Sequence, residues 1–90
     1  MKEHRTRVVA RYFPDGSIEE KNERLTLQEL QEAVGGYIQL VASVIPSRSL
    51  IVNEEGILLG LPLNPTASRL VSPGILMDGG LRGVALLVVG

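Results

Sequence analysis

The chain contains no cysteine and no tryptophan, a single histidine, and only three aromatic residues, Tyr12, Phe13 and Tyr37. Without cysteine there are no disulfide staples, no thiolate zinc sites and no cysteine nucleophile, a usage that fits a reducing compartment. With so few aromatics, the core has to be aliphatic. An excess of charge is missing too, since nine Lys and Arg stand against ten Asp and Glu. Nucleic-acid binders usually carry a basic surplus and stacking aromatics, so nucleic acid is not an expected partner. The longest apolar stretch, Val84–Val89, falls far short of the ~18 residues that read as a membrane span. The first residues, Met1-Lys2-Glu3-His4-Arg5, lead into no apolar signal-peptide region. These absences predict a cytoplasmic protein without a membrane segment.

What is present is a chain of 90 residues, 44% apolar and 21% charged. That composition is globular, and the length fits one domain over 1–90 whose small core leaves stability marginal. Charge is concentrated in residues 1–34, which hold 13 of the 19 Asp, Glu, Lys and Arg residues. The pattern divides into a charged hairpin over 1–23, a short capped helix over 26–34 and an aliphatic sheet core over 37–90.

Arg5–Phe13 is predicted as a strand. Arg5, Arg7 and Arg11 share one face and Val8, Ala10 and Tyr12 the other, with Val9 and Phe13 blurring the alternation. Pro14-Asp15-Gly16 supplies a tight turn, and Ser17–Glu23 returns as the second strand. The loop length pairs Tyr12 with Ile18, Arg11 with Glu19 and Arg7 with Glu23, so opposite charges meet across the ladder. Thr26-Leu27-Gln28-Glu29 is a capping box, with Leu25 and Leu30 placed as a hydrophobic staple. Leu27, Leu30 and Val34 fall on one helical face, and Gly35-Gly36 ends the helix.

Tyr37–Ile45 is predicted as a strand stopped by Pro46-Ser47. Ser49–Val52 and Ile57–Leu61 form a hairpin about the turn Asn53-Glu54-Glu55-Gly56. Asn64–Leu70 is a short helix with Asn64 as N-cap and Pro65 at its first position. Pro73-Gly74 and Asp78-Gly79-Gly80 punctuate the stretch beyond that helix, and Val84–Val89 is a central strand covered on both faces. The expected class is α+β, a mainly antiparallel sheet of about five to six strands with one or two short helices.

The ordered set Val34-Gly35-Gly36-Tyr37-Ile38, Val52-Asn53-Glu54-Glu55-Gly56 and Gly60-Leu61-Pro62-Leu63-Asn64, preceded by Leu27-Gln28-Glu29-Leu30, resembles a family of uncharacterised bacterial, phage and plasmid proteins. That family is the domain of unknown function 3846, and the resemblance runs from about Thr26 to the C-terminus. It implies a small intracellular protein carried by a phage or mobile element, and it supplies no activity and no catalytic residues. Gln39 stands where glutamate is more usual in the family.

Catalytic equipment is sparse. His4 sits near the N-terminus and reads as an exposed terminal residue. Glu54 and Glu55 are adjacent and diverge on a turn, so no metal is expected. Six serines lack a Gly-x-Ser-x-Gly setting and a histidine to activate them. Asp78-Gly79-Gly80-Leu81-Arg82-Gly83 lacks the Gly-Lys-Ser/Thr end of a phosphate loop and precedes a strand. It reads as a flexible loop, or as a flap whose Arg82 contacts an anion. Asn64–Arg69 is the most suggestive segment. A helix start favours phosphate or carboxylate, Thr66 and Ser68 add hydroxyls, and Arg69 adds a guanidinium. The plain alternative is a cap that satisfies its own backbone. Tyr37 after Gly35-Gly36 would stack on a ligand or pack in the core. Arg5, Arg7 and Arg11 make a basic stripe unless the glutamates of the second strand neutralise it.

The expected function is therefore non-catalytic and cofactor-free: a small anionic or nucleotide-like ligand held by Asn64, Thr66, Ser68, Arg69, Tyr37 and Arg82. In a phage setting that ligand would be a host defence signal. The alternative is a protein-interaction module that inhibits or adapts a host protein, motivated by the weakly charged second half. Self-association is expected under either, with the apolar final strand burying its edge in a twin.

Overall fold

The computed structural model describes residues 4–72 and 80–90. Five strands form one antiparallel sheet: β1 (Thr6–Tyr12), β2 (Ile18–Leu25), β3 (Ile38–Ala42), β4 (Arg48–Asn53) and β5 (Ala85–Val89). Their order is β2-β1-β5-β4-β3. Two helices accompany them, α1 (Leu27–Val34) and α2 (Pro65–Ser68). The α+β class is as expected, with five strands among the described residues. The Pro73-Gly74 and Asp78-Gly79 punctuation lies outside the described residues.

The β1–β2 hairpin forms for the reasons its turn suggests. Gly16 takes φ +93°, its amide donates to Phe13 O, and the Asp15 carboxylate accepts from the Ser17 amide at 2.8 Å and the Ser17 hydroxyl at 2.6 Å. Those two bonds hold the Asp15 carboxyl below its usual pKa, the hydroxyl contributing most. Tyr12 faces Ile18 and Arg11 faces Glu19, as expected. Beyond Ala10 the register shifts, so that Glu23 faces Val8 and Arg7 faces Arg24, which overturns the Arg7–Glu23 pairing. A bulge causes this: Lys21 and Asn22 both lie opposite Val9, which is itself an extra residue against β5.

The bulge also overturns the expectation that Val8, Ala10 and Tyr12 share a face. Val8 packs with Leu25, Leu30, Val34, Ile51, Leu86 and Val88 beneath α1. Ala10 and Tyr12 pack on the opposite layer with Leu50, Val52, Ala67, Val71 and Leu87. The sheet therefore has a core on each side, and β5 alternates between them at its centre. That is why its sequence reads as continuous aliphatic, and why it has no free edge to offer a twin.

The capping box at α1 is complete. The Glu29 amide donates to Thr26 Oγ1 at 3.2 Å, and the Thr26 amide donates to Glu29 Oε1 at 2.9 Å. Leu25 and Leu30, the two staple residues, are buried in the same cluster. Gly35 caps the far end in the left-handed conformation, φ +82°, its amide donating to Gln31 O. β3 stops earlier than expected because Ser43 leaves the ladder to order the turn into β4: its hydroxyl donates to Arg48 O at 2.9 Å and accepts from the Ile45 amide.

The hairpin expected over 49–61 is not formed. β4 pairs with β3 and β5, and residues 54–60 coil as successive turns, with the Leu59 amide donating to Glu55 O and the Leu61 amide to Gly56 O. Ile57, Leu58 and Leu59 are exposed. A short apolar run between glycines does not distinguish strand from coiled turn. The second helix is also shorter than expected, closing after Ser68.

Candidate functional site

The residues proposed as an anion site divide into two groups. Asn64, Ser68 and Arg82 meet where α2 is tied to the segment entering β5. Leu63 and Arg82 form an isolated antiparallel bridge, and the Asn64 amide donates to Leu81 O at 2.8 Å. Asn64 is fully buried. Its Nδ2 donates to Tyr12 O at 3.0 Å and Gly83 O at 2.8 Å, and its Oδ1 accepts from the Ala67 amide at 3.1 Å. Ser68 Oγ donates to Asn64 O at 2.7 Å and accepts from the Leu81 amide at 2.8 Å. The polar atoms of both side chains thus serve the chain's own backbone, as in the plain cap reading. Arg82 donates from Nη1 to Leu61 O at 3.2 Å, and its Nε is buried with no partner among the described residues. Thr66 is half-buried and Arg69 exposed. Tyr37 stands elsewhere, before β3, 66% exposed, its carbonyl accepting from the Glu54 amide.

Asn53 is a second buried asparagine with a joining role. Its Nδ2 donates to Val34 O at 3.1 Å, closing the C-terminal end of α1, while its Oδ1 accepts from the Glu55 amide at 2.7 Å. Gly36 lies close beside it, and a Cβ there would be a tight 3.0 Å from Nδ2.

The arginine stripe is partly neutralised. Arg11 presents a two-pronged fork to Glu23, Nε to Oε2 and Nη2 to Oε1, both at 2.8 Å, with side chains only 24% and 14% exposed. The bulge places Glu23 within that reach. Hydrogen bonding from Arg11 holds the Glu23 carboxyl below its usual range. Arg7 donates instead to Asn22 Oδ1 at 3.3 Å. Among the described residues no three His, Asp or Glu side chains stand together to hold a metal ion, and no helix is long and apolar enough to cross a membrane.

The concave feature that sequence reasoning missed lies on the α1 face. Because α1 has only two turns, it covers part of the sheet and leaves an apolar groove of about 520 Å³ beside it. Leu27 and Leu30 of α1 form one wall, and Ile38, Leu40, Ile51 and Val88 of the sheet form the floor. His4 and Thr6 sit at one end. Leu27 and Leu40 are the most open of its aliphatic members, 57% and 66% exposed. These residues come from α1 and four strands, so no local motif announces them. The one local signal is Leu27, an apolar first-turn residue that the short helix leaves half over solvent.

A sequence profile for the domain of unknown function 3846 (DUF3846) matches residues 9–89. The chain belongs to that family. The match begins at Val9, so it takes in most of the β1–β2 hairpin as well as the region from Thr26 onward. No curated protein and no solved structure shows significant similarity to the chain. In this DUF3846 member the segments Val34–Ile38 and Val52–Gly56 are joined by Asn53. The third segment, Gly60–Asn64, ends at the buried Asn64. The most recognisable residues are thus explained by how they hold the fold.

Proposed function

We propose that the chain is a non-catalytic binding module whose working surface is the groove beside α1, and whose partner is an amphipathic segment of a host protein presenting a few aliphatic side chains. The observation that carries this reading is an open apolar groove of about 520 Å³, within the ~300–1,000 Å³ range of functional pockets, walled by a helix and floored by the sheet. A helix wall on one side and a sheet floor below suit an inserted segment anchored at helical spacing. The family's bacterial, phage and plasmid setting supports a bacterial host as the source of the partner. Placing a photo-crosslinking amino acid at Leu27 in expressing bacteria, with the same probe at Lys21 on β2 as control, tests this. One discrete adduct from position 27 and none from 21, reproduced with the purified adduct partner, is the expected result. Absence of any adduct from 27 refutes the proposal.

An anion-holding role is the second reading, and the Arg82 Nε, buried without a partner among the described residues, favours it. Pyrophosphate and nucleotides should then raise the melting temperature of the native protein and not of Arg82→Gln. No shift with any of them removes this reading.

A further inference from the structure

The sheet has two edges of opposite character. On β2, five of the eight residues carry charge and a bulge interrupts the ladder, both of which discourage pairing with another chain. On β3, Ile38-Gln39-Leu40-Val41-Ala42, there is no charge and no proline. The backbone phase of β3 is set by its bonds. Tyr37 O accepts from the Glu54 amide, so Tyr37, Gln39 and Val41 turn their polar backbone toward β4. Ala42 O accepts from the Ser72 amide and the Val44 amide donates to Leu70 O, so even-numbered residues turn outward. The outer edge is thus taken from Ala42 onward by residues 70–72. Among the described residues nothing bonds to the outward amides and carbonyls of Ile38 and Leu40.

We propose that a second copy of this chain occupies this edge, pairing antiparallel through β3 about a two-fold axis at Gln39. The window left by the described residues is self-complementary. Ile38 of each copy faces Leu40 of the other, and the two pairs exchange about four hydrogen bonds with the groups that lie open. Ser72 closes the window at one end. At the other, the chain turns away through Gly35-Gly36, so the paired stretch has the length of β3 and no more. Ile38 and Leu40 both belong to the groove floor, so the axis sets both α1 helices on one face and opens the two grooves onto each other. The pairing stands independently of what the groove binds.

Sedimentation velocity to high concentration, combined with amide hydrogen exchange, tests the inference. The native chain should reach a dimer in which the Ile38 and Leu40 amides are protected. Leu40→Lys, at a side chain 66% exposed, should weaken the dimer at least about tenfold and release both amides, while its melting temperature stays near that of the native chain at dilutions where both are monomeric. Leu40→Pro removes an outward amide without touching the β4 ladder and should act alike. Three results would overturn the proposal: a monomer at every concentration with fast exchange at both amides, a monomer with both protected, and a dimer with neither protected.

Discussion

Replacing Asn64 tests whether one buried side chain holds α2, β1 and the entry to β5 together. Asn64→Ala deletes the acceptor for the Ala67 amide, a capping loss of about 1 kcal/mol. It also leaves the Tyr12 and Gly83 carbonyls without their side-chain donor, at about 1 kcal/mol each at the low end for buried groups. The expected loss is about 3 kcal/mol, against a total of about 5–13 kcal/mol for a domain of this size. Urea denaturation followed by far-ultraviolet circular dichroism reads it directly, as a midpoint lowered by about 2–3 M at a typical slope. Asn64→Asp sharpens the test, because it keeps the shape and reverses the hydrogen-bond sense. At neutral pH a buried carboxylate would face two carbonyl oxygens, so its folded pKa must rise above the unfolded value. A carboxyl raised in this way gains stability as pH falls through its folded pKa. The gap between Asn64→Asp and the native protein should therefore narrow on acidification. A loss under about 1 kcal/mol for Asn64→Ala, or a gap unaffected by pH, would refute this account.

The other expectations are smaller. Glu23→Gln should cost about 1–2 kcal/mol by urea denaturation, since it halves a partly buried two-pronged ion pair. Because Arg11 depresses the Glu23 pKa, that contribution is present above the unfolded carboxylate pKa and fades as pH falls through the folded one. The native and Glu23→Gln curves should converge in acid. Thr26→Ala should remove about 1 kcal/mol and speed amide exchange in the first turn of α1. Gly35→Ala, forced to φ +82°, should lower stability by about 1 kcal/mol in the same assay.

The β1–β2 hairpin, the capped helix and the central position of β5 were legible because each rests on local rules: turn residues, a capping box, and an unbroken aliphatic run. The chain around Val9 was not, although the blurred alternation at that residue was its trace. A strand period of two assumes an unbroken ladder, and one extra residue reverses every side chain beyond it. The coil over 54–60 was misread because its apolar side chains suggested burial while Gly56 and Gly60 suggested a turn. For the anion residues, sequence reasoning placed Asn64 correctly as a cap, and the fold commits that side chain to its own backbone. The groove was hidden because its walls come from α1 and four strands, and nothing in a linear pattern reports how far a two-turn helix extends across a sheet.

The Val9 bulge has a bearing on how the molecule comes apart. A sheet with a separate core on each side could melt in two stages, one layer loosening while the other persists. Here β4 and β5 feed both layers by simple alternation, and β1 does so by changing sides at its bulge, giving Val8 to one layer and Ala10 with Tyr12 to the other. Neither layer can be lost without disturbing the three central strands that the other layer rests on. Two small clusters, each too slight to stand alone, are thereby made to fail together as one cooperative unit.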